Sequence, residues 1–178
     1  QQRIDSARIR ADLVSRIRAF FTERDVLEVE TPILSRGVSV DRHLDVFSTR
    51  FRAKDETFYL QTSPEFHMKR LLCEGFPDIF QICKSFRIDE RGGMHNPEFS
   101  MLEWYRRGFS MQDLIDETAG LARRITGISQ VRQARYRDLF LETTGLDPLK
   151  ADSPALLAFC KENGSLPPPC ETSTDLLQ

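Results

Sequence analysis

Two stretches of the chain concentrate side chains able to do chemistry. The first reads Thr62-Ser63-Pro64-Glu65-Phe66-His67-Met68-Lys69-Arg70. The second runs from Ser85-Phe86-Arg87-Ile88-Asp89-Glu90 through a short loop to His95-Asn96-Pro97-Glu98-Phe99-Ser100-Met101-Leu102-Glu103-Trp104-Tyr105. Arg87 offers a planar guanidinium that can fork onto oxyanions; the alternative is a structural ion pair with Asp89 or Glu103. Phe99 presents a flat ring, and although strand phenylalanines are usually core, its same-face neighbours Glu103 and Tyr105 argue against a buried role. His95 and Asn96 close the loop, where they can donate to oxyanions or, for Asn96, serve turn chemistry. Thr62-Ser63-Pro64-Glu65 fits a capping box, with Pro in the first turn and Glu65 returning to the backbone N–H. The competing reading offers the Glu65 carboxylate to a ligand. His67 reads as packing or surface.

The elements that must position these groups follow from periodicity. Ile9, Leu13, Ile17, Phe20 and Phe21 recur at helical spacing with arginines opposite, and Asp5 or Ser6 is the expected N-cap. Leu27–Thr31 alternates as a short strand running into Pro32, and residues 36–45 read as loop. Val46–Phe51 and Thr57–Thr62 read as two strands joined by a turn at Ala53–Glu56. A helix is expected over Ser63–Glu74, with Gly75 as its stop. From Ile79 to Asp89, Phe80, Ile82, Phe86 and Ile88 face one way, with Lys84 the exception, while Gln81, Ser85, Arg87 and Asp89 make a polar face. After a loop over 90–98, Phe99, Met101, Glu103 and Tyr105 share one face of a second strand, Leu102 and Trp104 the other. The two strands are expected to pair antiparallel. Ser110 caps a helix bearing Leu114, Ile115, Leu121 and Ile125 and ending at Gly127. Shorter helices cover 136–144 and 153–163, Pro167–Pro169 makes a rigid break, and Ser173–Gln178 looks like the start of a helix.

Composition bounds the function. With 178 residues the chain is sized for one compact domain, or most of one, and with 40% hydrophobic and 29% charged residues neither disorder nor a membrane class fits. Twenty-five basic against twenty-seven acidic residues give net −2, so no global field draws in nucleic acid. Cys73, Cys83, Cys160 and Cys170 form no C-x-x-C, and no H-E-x-x-H occurs, which points to small core residues in a reduced cytoplasmic setting. No apolar run is long enough to span a membrane, and arginines interrupt every apolar stretch of residues 1–20, so no signal peptide is read there.

Taken together, Phe86-Arg87-x-Asp89, the short loop and His95-Asn96-Pro97-Glu98-Phe99 resemble motif 2 of the class II aminoacyl-tRNA synthetases. Leu27-Glu28-Val29-Glu30-Thr31-Pro32 is similar to their motif 1. The resemblance extends from about Ala7 to Pro148, with motif 1 near 20–35 and motif 2 near 84–106. Within the superfamily the lysyl branch is indicated, and Thr62-Ser63-Pro64-Glu65, His67-Met68-Lys69-Arg70-Leu71-Leu72 and Met101-Leu102-Glu103-Trp104-Tyr105 resemble the elongation factor P–lysine ligase family.

The resemblance implies an α+β domain, an antiparallel sheet flanked by helices, incomplete at its C-terminal end because nothing matches the arginine-bearing motif 3. It implies ATP-dependent formation of an aminoacyl-adenylate from lysine or (R)-β-lysine and transfer to a lysine of elongation factor P. Arg87 would bridge the α-phosphate and the attacking carboxylate as the catalytic residue. Asp89, His95, Asn96 and Phe99 would bind ATP with it. Ser63, Glu65, Glu103 and Tyr105 would line the amino-acid pocket, where two carboxylates suit the two ammonium groups of a diamino acid. Ser63 stands where true lysyl-tRNA synthetases commonly carry alanine, and Ile88-Asp89 where the family usually has Asn-Glu. Mg2+ is implied as a cofactor with ligands in the missing half, and a homodimer through motif 1. No anticodon-binding barrel precedes the first helix, so a protein acceptor is expected in place of tRNA. Two alternatives stay open: a tRNA(Lys)-charging fragment, and a non-catalytic binding or regulatory paralogue.

Overall fold

The computed structural model describes residues 1–37, 44–88 and 95–164. The chain divides into two compact units, 1–129 and 130–178. Asp89, Cys170, Pro167–Pro169 and Ser173–Gln178, with parts of the two loops read over 36–45 and 90–98, lie outside the described residues.

The first unit runs α1 (Gln2–Thr22), β1 (Leu27–Glu28), β2 (Leu34–Ser35), β3 (Ser48–Phe51), β4 (Glu56–Leu60), α2 (Glu65–Cys73), β5 (Ile79–Phe86), β6 (Glu98–Tyr105) and α3 (Met111–Thr126). Two three-stranded sheets form among the described residues, in the orders β1-β5-β6 and β2-β4-β3. β1 runs parallel to β5, and every other pairing is antiparallel. The Phe86 N–H donates to the Gln61 carbonyl at 3.0 Å, which ties the end of β5 to the segment after β4.

One face of β5 and β6 makes the core. Phe21 of α1 stacks on Phe80 of β5 with centroids 4.6 Å apart and meets Trp104 of β6 at 5.5 Å. Ile17, Phe20, Val26 and Leu121 complete the buried cluster, with Leu13, Ile82, Leu102 and Ile125 packed around it. Burying several large side chains at about 1.5–3 kcal/mol each anchors the hairpin on this side. The polar face of the same strands is left to carry the site.

Local signals account for most element ends. Ser110 caps α3 through a complete capping box with Asp113, whose carboxyl the Ser110 hydroxyl and N–H hold below its ordinary value. Gly127 closes that helix at φ 75°, a left-handed turn that glycine takes without a Cβ penalty.

Several expectations are corrected. α1 begins at Gln2 with Gln1 as N-cap, not Asp5 or Ser6. Asp5 instead sits in the first turn, where a carboxylate favours the positive end of the helix dipole. Ile9 is 67% exposed, because α1 meets the core from Leu13 onward. The strand read over Leu27–Thr31 stops at Glu28, although the Val29 N–H still donates to the Phe80 carbonyl at 2.9 Å. α2 starts two residues later than read, at Glu65, so Glu65 is the first helical residue and cannot be the third residue of a capping box.

The second unit carries α4 (Tyr136–Thr144) and α5 (Ser153–Glu162). Gly145 ends α4 at φ 73°, and the Asp152 carboxylate caps α5 by accepting from the Ala155 N–H at 3.0 Å. Arg137 pairs with Asp147 and Arg132 with Glu142.

Candidate active site

The site grows from the register of β5 and β6. Gln81 lies opposite Glu103, Cys83 opposite Met101 and Ser85 opposite Phe99, so the odd-numbered residues of both strands share the face turned away from the aromatic core. Arg87 continues this face one residue past β5, where its N–H donates to the Pro97 carbonyl at 2.9 Å. Lys84, the exception to the apolar alternation, reaches outward to pair with Glu98 at 3.0 Å.

Glu103 is the hub. Its Oε2 accepts the Ser63 hydroxyl at 2.6 Å and its Oε1 the Tyr105 hydroxyl at 2.5 Å. Among the described residues Glu103 enters no ion pair, so the structural pairing with Arg87 that the sequence leaves open is not formed here. The other pairing, with Asp89, lies outside the described residues. Ser63 acts twice, since its oxygen also accepts the Glu65 N–H at 3.1 Å. One side chain therefore joins the start of α2 to β6 across forty residues of sequence.

Burial pushes the Tyr105 phenol well above its ordinary value, and the Glu103 acceptor, the Glu103 charge and the Glu65 charge push it further. Tyr105 is thus a fixed donor at neutral pH. Burial likewise raises the Cys83 thiol, against weaker opposing hydrogen bonds from Ser85 and Gln61. Cys73, Cys83 and Cys160 are free thiols.

Glu65 does not return to the backbone. Its carboxylate pairs with Lys69 one helical turn on, and the Lys69 ammonium stands 6.0 Å from the centre of the Tyr105 ring. The guanidinium carbon of Arg87 lies 5.3 Å from the centre of the Phe99 ring, and its Nε donates to the Thr62 carbonyl at 3.4 Å. His95 and Asn96 are exposed at the end of the hairpin where Arg87 emerges. His67 is half-buried on α2, as packing would have it.

Ser63, Glu65, Glu103 and Tyr105 are therefore brought together by contacts or fields, and Arg87 with Phe99 forms a neighbouring pair. Sequence reasoning missed Lys69, although the Glu65–Lys69 spacing of four on a helix is a signal for such a pair. It also missed the buried Thr31 hydroxyl, which donates to Gln81 Oε1 at 3.0 Å and braces the strand carrying the polar face. Among the described residues no group of three or more His, Cys, Asp or Glu is placed to hold a metal ion. No helix there is long and apolar enough to cross a membrane.

A carboxylate fixed by two hydroxyls beside a second carboxylate has the chemistry to receive ammonium groups, and a guanidinium above an aromatic ring suits a nucleotide phosphate and base. The family model for class II tRNA synthetases (D, K and N) matches residues 2–147, and the chain belongs to that family. Within it, the chain is 46% identical over 173 residues to the elongation factor P–(R)-beta-lysine ligase of Haemophilus influenzae, covering 95% of this chain and 54% of that protein. It is 48% identical over 157 residues to the ligase of the same name from Actinobacillus succinogenes, covering 86% and 49%. The counterpart from Pasteurella multocida is 45% identical over 163 residues, covering 89% and 50%. The chain spans about half the length of these curated relatives.

Proposed function

We propose that the full-length protein activates lysine or (R)-β-lysine with ATP and transfers the aminoacyl group to a lysine of elongation factor P. The observation that carries this reading is the pocket itself: Glu103 held by Ser63 and Tyr105, with Glu65 beside it, on the sheet face that also bears Arg87 and Phe99. Residues 1–178 form part of the catalytic domain, with motif 1 near 20–35 and motif 2 near 84–106.

In the first step an oxygen of the amino-acid carboxylate attacks the α-phosphorus of ATP, and pyrophosphate leaves with the bonding pair. Arg87 leaves its contact with Phe99 to fork across the α-phosphate and the incoming carboxylate, and Phe99 takes the adenine face. Asp89, His95 and Asn96 add contacts to the nucleotide. In the second step the ε-amine of the acceptor lysine attacks the adenylate carbonyl, AMP departs and an amide forms. Mg2+ would accompany the nucleotide and neutralise charge on its phosphates.

A protein acceptor in place of tRNA agrees with the net charge of −2 and with the names of the relatives. A homodimer through the motif 1 region is supported by Leu27, Ile33 and Leu34, which expose 46%, 39% and 48% of their surfaces. The setting is the cytoplasm. Amino-acid-dependent ATP–pyrophosphate exchange tests the activation step: exchange is expected with lysine or (R)-β-lysine and not with norleucine, which lacks the side-chain ammonium. Equal exchange with norleucine would overturn the pocket assignment.

A further inference from the structure

The two carboxylates of the pocket are not in the same state. Glu103 accepts two neutral hydroxyls, whereas Glu65 already holds an alkylammonium, that of Lys69. The Lys69 side chain is the same chemical group as the side chain of a lysine ligand. It is placed by helix geometry, four residues after Glu65 on one face of α2, with its Nζ near the ring of Tyr105. An incoming ammonium bound for Glu65 meets a carboxylate that is neutralised and a like charge beside it.

We propose that Lys69 is an internal competitor for the amine substrate, pairing with Glu65 in the empty pocket and being displaced when a substrate ammonium binds. The proposal rests on the reading of Glu65 as the group that holds a substrate amino group. The Glu65–Lys69 pair leaves 45% and 53% of the two side chains exposed, so Lys69 can swing to solvent without stranding a buried charge. Its cost to substrate binding is correspondingly modest. A half-exposed pair separated by four residues is worth a factor of about two in an equilibrium, somewhat more beside a desolvated ring. Both consequences of losing the Lys69 charge act in one direction: Glu65 is left without its counter-ion, and the repulsion of the incoming ammonium disappears. Lys69 therefore sets the affinity for the amine and leaves the reacting phosphorus untouched.

The test uses the full-length protein at low ionic strength, where such pairs are least screened. KM and kcat are measured for (R)-β-lysine and lysine in ATP–pyrophosphate exchange, with Tm on the same preparations. Lys69→Met keeps the aliphatic stem and removes the charge. It is expected to lower KM for the amine about two- to fivefold, with kcat and KM for ATP unchanged. Lys69→Gln should follow it, so a folding defect peculiar to one variant does not decide the matter. Lys69→Arg should restore most of the wild-type KM. Glu65→Gln should raise KM by about tenfold or more, and in that background Lys69→Met should no longer lower it. If Glu65→Gln raises KM but neither neutral variant at Lys69 lowers it, the competitor role is wrong and the pocket stands. If Glu65→Gln leaves KM unchanged, Glu65 does not hold the amine and both fall.

Discussion

Arg87 and Tyr105 occupy the same sheet face, yet they are asked to do different things. In the proposed reaction Arg87, which contacts the Phe99 ring and the Thr62 carbonyl, turns to phosphate and carboxylate oxygens. A lysine offers a point charge without the fork. Arg87→Ala is therefore expected to lower exchange at saturating substrates by about 10²–10⁴, equivalent to roughly 3–5 kcal/mol of transition-state stabilisation. Arg87→Lys should recover a small part of this, and Tm should change little. A structural ion-pair role predicts the reverse, a large fall in Tm with activity per folded molecule intact. Tyr105 must instead stay put. Burial first, and then the acceptor and charge of Glu103 and the charge of Glu65, favour its neutral form in the fold. That contribution to stability is whole below the unfolded tyrosine's value of about 10 and is lost as pH rises through the higher folded value. In an alkaline absorbance titration the last phenolate to form should vanish in Tyr105→Phe. The stability advantage of wild type over that variant should shrink above about pH 10. A Tyr105 that ionises together with the other tyrosines would contradict the geometry around Glu103.

At the scale of elements, β5 and β6 divide their labour by face, and the division was legible from alternation alone. Phe80, Ile82, Leu102 and Trp104 turn to the helices, while Glu103, Tyr105 and Phe99 turn to the site. Phe21→Ala, which empties the centre of the aromatic cluster, should destabilise the protein by about 3–5 kcal/mol in a denaturant melt. An unchanged midpoint would mean that the cluster does not anchor the hairpin. Ser110 and Gly127 were legible as the ends of α3 because cap chemistry is local in sequence. The start of α2 was not. Thr62-Ser63-Pro64-Glu65 satisfies a local rule, but Ser63 is claimed by Glu103, forty residues away, and Glu65 by Lys69. The Thr31–Gln81 bond was invisible for the same reason, since it depends on how β1 sits beside β5. The site residues were legible as types on a face; the bonds that set their states come from contacts distant in sequence.

For the whole molecule, the exposed Leu27 of β1, with Ile33 and Leu34 at the start of β2, carry the proposed self-association. Leu34→Glu should weaken the dimer about tenfold or more in sedimentation equilibrium, because a charge buried at an apolar interface lacks a partner. A dimer of unchanged strength would move the interface elsewhere. The choice of acceptor also belongs to this scale, because it depends on surfaces beyond the amino-acid pocket. The most direct measurement supplies the full-length protein with ATP and radiolabelled (R)-β-lysine or lysine, and offers elongation factor P and tRNA(Lys) in parallel. Label is predicted to appear on elongation factor P, with tRNA(Lys) left essentially uncharged. Efficient charging of tRNA(Lys), with elongation factor P unlabelled, would contradict the account.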